Sequence, residues 1–153
     1  MNIINSDSID NLSIVLQEYL ETINTLCQYH DDDHAHTKQI AEAMNVSMPS
    51  VVDALISLSK YKLINYRARY PVTLTPQGKE IAKTLAARQR QLYDFFCNVL
   101  SLDKAYSEEI ACKLEHIVDE KLRNRISEFN SFLKKEKDAP NLINRFKKNY
   151  ESL

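Results

Sequence analysis

The sequence predicts a mostly helical protein carrying one short β-hairpin. Three observations lead there. Only one Gly and four Pro occur in 153 residues, so little interrupts helix. Apolar residues recur at helical spacing through most of the chain. One stretch, residues 63–75, instead holds two β-prone runs.

A first helix is expected over residues 10–29, where Leu12, Val15, Leu16, Tyr19, Ile23 and Leu26 form one apolar face. HDDDHAH then breaks it as a polar loop. Residues 37–44 form a short helix with Ile40, Ala41 and Met44 inward, and Asn45-Val46 makes a tight turn. Ser47 can cap the next helix, whose first turn tolerates Pro49 and whose buried face holds Val51, Leu55 and Leu58 as far as Lys60. Residues 63–68 and 72–75 flank Arg69-Tyr70-Pro71 and read as a two-stranded hairpin. Thr75-Pro76 opens a long helix to about Leu100. Another helix is expected from Ser107, with Glu108 and Glu109 in its first turn, where the dipole favours anions. Residues 122–137 form a charged helix, and Pro140 begins a last short one.

Helix, short helix, turn, helix, hairpin is the order of a winged helix-turn-helix with a two-stranded wing. The expected division is a winged helix-turn-helix over residues 1–75 and a helical domain over residues 76–153. A net charge of −1 conceals a strong asymmetry. Residues 1–36 carry seven acidic and no basic side chains, whereas residues 37–92 carry nine basic and three acidic. The basic stretch coincides with the helix-turn-helix and wing, which points to a phosphate backbone as partner. The helix beginning at Ser47 would enter the major groove, with Ser47, Pro49, Ser50 and Asp53 near the bases. Lys38, Lys60, Arg67 and Arg69 would meet phosphates.

No apolar run approaches membrane-spanning length, and MNIINSDSID has neither the basic start nor the apolar core of a signal peptide. Three cysteines without paired spacing argue against a disulfide framework. Both features predict a cytoplasmic protein. No nucleophile motif or glycine-rich loop suggests an enzyme or an organic substrate.

The run CKLEH carries the most specific chemistry. Cys112, Glu115 and His116 stand at i, i+3 and i+4, so a thiolate, a carboxylate and an imidazole share one helix face. Those groups suit a first-row transition metal, but three ligands on one helix leave its site incomplete.

The runs EYLETINTL, TKQIAEAMNVSMPSVVDALISLSKYKLI, VTLTPQGKEIA, ARQRQLYDFF and ACKLEHIVDEKL follow one another in order. They resemble the diphtheria-toxin-repressor family of metal-dependent transcriptional repressors, in the short two-domain form of its manganese-sensing branch. The likeness covers about residues 12–125. It implies a homodimer on a palindromic double-stranded DNA operator, with a helical dimerisation domain at the C-terminus. It also implies metal ligands on the first helix, at Glu18 and Glu21, beside Cys112, Glu115 and His116. The family's ancillary site uses a His where Gln89 stands, a Glu in iron-type members where Tyr93 stands, and a further His where Glu108 stands. The resemblance therefore implies one main ion, with Glu21 and Glu108 left to hold a second weakly. Cys112 is soft and tilts the metal towards iron(II), with manganese(II) second and zinc(II) or cobalt(II) able to bind in vitro. His30, His34 and His36 with Asp31–Asp33 read as a solvated loop. The alternative function is a metal-independent or redox-responsive winged-helix regulator, in which Cys112 would react with oxidant.

Overall fold

The computed structural model of the chain describes Ile9 and residues 12–29 and 33–151. The backbone forms two compact units, Met1–Leu85 and Ala86–Leu153. In the first, α1 (Ile14–Tyr29), α2 (Thr37–Met44) and α3 (Met48–Lys60) precede the strands β1 (Ile64–Asn65) and β2 (Thr73–Leu74). The first half of α4 (Pro76–Asp94) completes it.

Local chemistry sets these boundaries. Asn45 closes α2 in the left-handed conformation, φ 53°, which Asn tolerates better than most residues. Ser47 caps α3, its hydroxyl accepting from the Ser50 amide at 3.4 Å, with Pro49 in the first turn. Leu20, Ile23, Ile40, Val51, Leu55, Leu58, Ile81 and Leu85 are buried together and form the core that fixes α3 against α1 and α2. Ile81 and Leu85 join that core, which is why the start of α4 belongs to the first unit.

The hairpin is shorter than the β-prone runs on either side of it. Its register is Ile64↔Leu74 and Asn65↔Thr73, with an Asn65 Nδ2 to Thr73 Oγ1 hydrogen bond of 3.0 Å across the strands. Lys62 and Arg69 take positive φ, 58° and 70°, and the backbone turns at those points instead of extending the ladder. The described end of the HDDDHAH run, residues 33–36, is also not simply a loop. Ala35 is fully buried and bridges Val72, adding a contact to the wing's outer end. His30, Asp31 and Asp32 lie outside the described residues.

In the second unit α4 continues to Asp94 and passes into a π-helical segment, Phe95–Val99, where a uniform α-helix to Leu100 is expected. Leu100 N donates to Phe95 O at 3.1 Å, the wider i+5 spacing of a π-turn. Helix α5 (Lys104–Glu115) begins earlier than Ser107. Asp103 is its cap, accepting from the Tyr106 amide at 3.0 Å. Ser107 therefore lies inside the helix, fully buried, and Glu108 and Glu109 are not in the first turn. Asp119 caps α6 (Glu120–Lys135), accepting from Leu122 N at 2.8 Å, and α7 (Ala139–Glu151) follows.

Candidate metal centre and DNA-binding surface

In the second unit the CKLEH run closes α5. Glu115 is the last helical residue and His116 the C-cap, with φ −82° and ψ −14°. Their side chains are almost wholly withdrawn from solvent, 1% and 3% exposed, and His116 Nε2 lies 3.4 Å from Glu115 Oε1. A buried carboxylate against a buried imidazole is costly unless charge and hydrogen bonds compensate it. The same donor pair is what a divalent transition metal coordinates, so the chemistry fits such an ion.

Cys112 does not share that burial. The buried stripe of α5 runs Ser107, Ala111, Glu115 at i, i+4 and i+8, while Cys112 is exposed beside it. Arg123, 8% exposed, reaches back from α6 to the end of α5. Its Nη1 donates to Glu115 O at 3.5 Å and Val118 O at 3.2 Å. A guanidinium at this helix C-terminus satisfies carbonyls that the helix cannot and suits its negative dipole end. Arg123 thereby holds the segment that carries Glu115 and His116. The sequence shows α6 only as a charged helix, and nothing in it singles out Arg123 from the helix's other charges.

The positions of the ancillary site hold a hydrogen-bonded set. Gln89 Nε2 donates to Glu108 Oε1 at 3.4 Å. The Tyr93 phenol is raised above its ordinary pKa, mainly by its hydrogen bond with Cys97 and secondly by desolvation.

In the first unit, α1 carries both acidic candidates. Glu18 is exposed and Glu21 half-buried, on the opposite side from the core residues Tyr19, Leu20 and Ile23. Ser47, Pro49, Ser50 and Asp53 are all exposed at the start of α3, which leaves this end open to a partner. Ser47 Oγ and Ser50 Oγ share a 2.8 Å hydrogen bond. Lys38 is exposed and 3.7 Å from Glu42, and Lys60, Arg67 and Arg69 are exposed. The Arg67 guanidinium sits 4.7 Å from the centre of the Tyr70 ring, a cation–π contact that orders the wing tip. His34 and His36 meet edge to face with ring centres 5.0 Å apart.

Two further surface features escape sequence reasoning. Val46 and Met48 at the head of α3 are apolar yet 39% and 45% exposed. Neither belongs to the apolar face Val51, Leu55 and Leu58, and only their exposure marks them as surface. Tyr70, 56% exposed, is likewise visible only once Arg67 is seen against it.

Comparison with known proteins matches residues 11–70 to the N-terminal DNA-binding domain of iron-dependent repressors. Residues 75–140 match the metal-binding and dimerisation domain of the same proteins. The chain belongs to the diphtheria-toxin-repressor family. Members of this family are metal-dependent transcriptional regulators, not enzymes. An uncharacterized HTH-type transcriptional regulator of Methanocaldococcus jannaschii is 28% identical over 77% of this chain and 94% of its own length. The HTH-type transcriptional regulator MntR of Bacillus pumilus is 27% identical over 76% of this chain and 79% of its own. Among solved structures, a manganese-dependent transcriptional repressor in complex with manganese is 31% identical with a TM-score of 0.67, covering 76% of this chain. The manganese regulator SloR is 29% identical with a TM-score of 0.64, covering 76% of this chain. The chain spans about half the length of these two solved relatives, 53% and 54%. Family membership accounts for the winged helix-turn-helix of the first unit and for a divalent-metal-binding, dimerising second unit. Among the described residues, no helix is long and apolar enough to cross a membrane.

Proposed function

We propose that this chain is a cytoplasmic metal-dependent repressor of iron or manganese homeostasis genes. It would act as a homodimer on a palindromic operator. The buried Glu115–His116 pair, 3.4 Å apart and at the end of a capped helix, is the observation that carries this reading. The proposed ligand set is Glu18 and Glu21 from the first unit with Cys112, Glu115 and His116 from the second. A bound divalent cation would supply positive charge among carboxylates and a Lewis acid for the thiolate and imidazole. Without it, Glu18, Glu21, Glu115 and an ionised Cys112 repel one another when gathered at one place. Neutralising them ties the first unit to the dimerising unit. That restricts the separation of the two recognition helices to the ~34 Å that adjacent major grooves on one DNA face require. Cation binding and operator binding thus strengthen each other by linkage.

The metal proposed first is iron(II), because Cys112 is a soft ligand. Manganese(II) stands second, supported by the carboxylates Glu18 and Glu21 and by the manganese named for two solved relatives. At the DNA, Ser47, Pro49, Ser50 and Asp53 present hydroxyl, apolar and carboxylate groups to base edges, and Met48 offers a methyl surface for thymine. Lys38, Lys60, Arg67 and Arg69 serve the phosphates, and so thin a base readout implies a large share of indirect recognition. The test is His116→Ala in a gel-shift titration. It should abolish metal-stimulated operator binding while the circular-dichroism spectrum stays helical. Full metal dependence in that variant would overturn the ligand assignment.

A further inference from the structure

Helix α3 turns Val51, Ala54, Leu55 and Leu58 inward. Pro49, Asp53, Ile56 and Lys60 stand at i, i+4, i+7 and i+11 on its opposite side, and all four are exposed. Ile56 is 42% exposed and lies in the middle of this outward face, not at its edge. Half-buried Val52 stands between it and Met48, so Met48, Val52 and Ile56 make one apolar stripe at i, i+4 and i+8. Single exposed apolar residues are ordinary on a protein surface, whereas a contiguous set points to a contact.

The rest of the face selects the partner. Lys60 closes it, and Arg67 and Arg69 are exposed on the hairpin that follows α3, so charge favours a polyanion. The helix lies within the part of the chain that matches the family's DNA-binding domain. The major groove of a duplex offers hydrogen-bond acceptors, amino donors and thymine methyls. Acceptors on base edges call for long side-chain donors, and between Ser47 and Ser59 there is no Asn, Gln, Arg or Lys. The serines of the face bond locally instead. Ser47 Oγ and Ser50 Oγ share their 2.8 Å bond, and Ser57 Oγ donates to Asp53 O at 2.9 Å. Asp53 can meet an amino group, which leaves the methyls for the stripe. Resting on the operator-binding reading above, we propose that Val52 and Ile56 join Met48 as specificity-determining residues that read thymine 5-methyl groups along the major groove. Met48 to Ile56 spans about 12 Å of helix, or roughly three to four base pairs. The methyl-bearing thymines of each half-site fall within that span.

The test starts from duplexes selected out of a random pool by the intact chain with manganese(II) or iron(II), without oxygen. Each thymine of the best binder is then replaced in turn by deoxyuridine, which lacks only the methyl. Two or more thymines in each half-site, within about four base pairs, should be sensitive. Each replacement should weaken binding about fourfold, the value of one buried carbon. Ile56→Ala should make binding indifferent to deoxyuridine at one of those positions and Val52→Ala at a neighbouring one, with the parent's circular-dichroism spectrum kept in both. Binding that ignores deoxyuridine throughout, or a penalty undiminished in both variants, would overturn the methyl readout and leave the regulator reading standing. Failure of any duplex to enrich with either metal would overturn both.

Discussion

Gly78→Ala tests the joint between the wing and the long helix. Gly78 lies in the first turn of α4 against the Leu63 carbonyl, and a Cβ built there would stand 1.9 Å from Leu63 O. An ordinary carbon–oxygen approach is ~3.3 Å, so the two backbones must part by about 1.4 Å. That movement would break what Leu63 O accepts, Thr75 N at 3.0 Å and Thr75 Oγ1 at 3.1 Å. It would also strain the cap in which the Gly78 amide donates to Thr75 Oγ1 at 3.0 Å. Two or three hydrogen bonds at about 1 kcal/mol each, with overpacking of about 1–3 kcal/mol, oppose the ~1 kcal/mol by which Ala is the better helix former. The expected outcome is a loss of about 2–5 kcal/mol in urea unfolding, with operator binding weakened because β1 begins at Ile64, next to the displaced carbonyl. An unchanged or higher unfolding midpoint would refute the contact.

Two further outcomes follow from the first unit. Arg67→Ala should weaken binding to operator and random DNA by similar factors and lower the salt slope by about 1, as loss of a phosphate contact does; a change confined to the operator would make Arg67 a base reader instead. Cys27, 2% exposed, has its thiol pKa raised from 9.0 by burial and by Asp33, with Lys79 opposing. The neutral thiol is the form the fold prefers. Its stabilisation is complete below the unfolded value near 9.0 and is lost as pH rises through the folded value. Urea midpoints measured above pH 9 should therefore fall less steeply in Cys27→Val than in the parent, and parallel curves would remove Cys27 from the alkaline loss.

The helix order is legible in the sequence because its punctuation is local. Asn45, Ser47, Pro49, Thr75 and Pro76 act on their own backbone, and Ile40, Leu55 and Leu58 repeat at core spacing. What escapes depends on distant partners. The demand for Gly at position 78 comes from Leu63 O, across the hairpin, and the π-turn shows no break in the pattern of Phe95, Phe96 and Val99. Asp103 takes the cap of α5 ahead of Ser107 because either residue type can cap and only the backbone chooses. Donor types in CKLEH are legible, but their burial is not. Positions i and i+3 differ by about 60° around a helix, enough for Glu115 to be buried while Cys112 is exposed. Arg123 is invisible as a positioning group because α6 around it is charged and exposed.

The most direct measurement is operator binding by the intact protein, without oxygen, at buffered free iron(II), manganese(II) and zinc(II). Tight binding is expected with metal, loss of binding with chelator, and activation by iron(II) at lower free concentration than by manganese(II). Operator binding that ignores chelator, or that responds only to peroxide, would contradict that expectation.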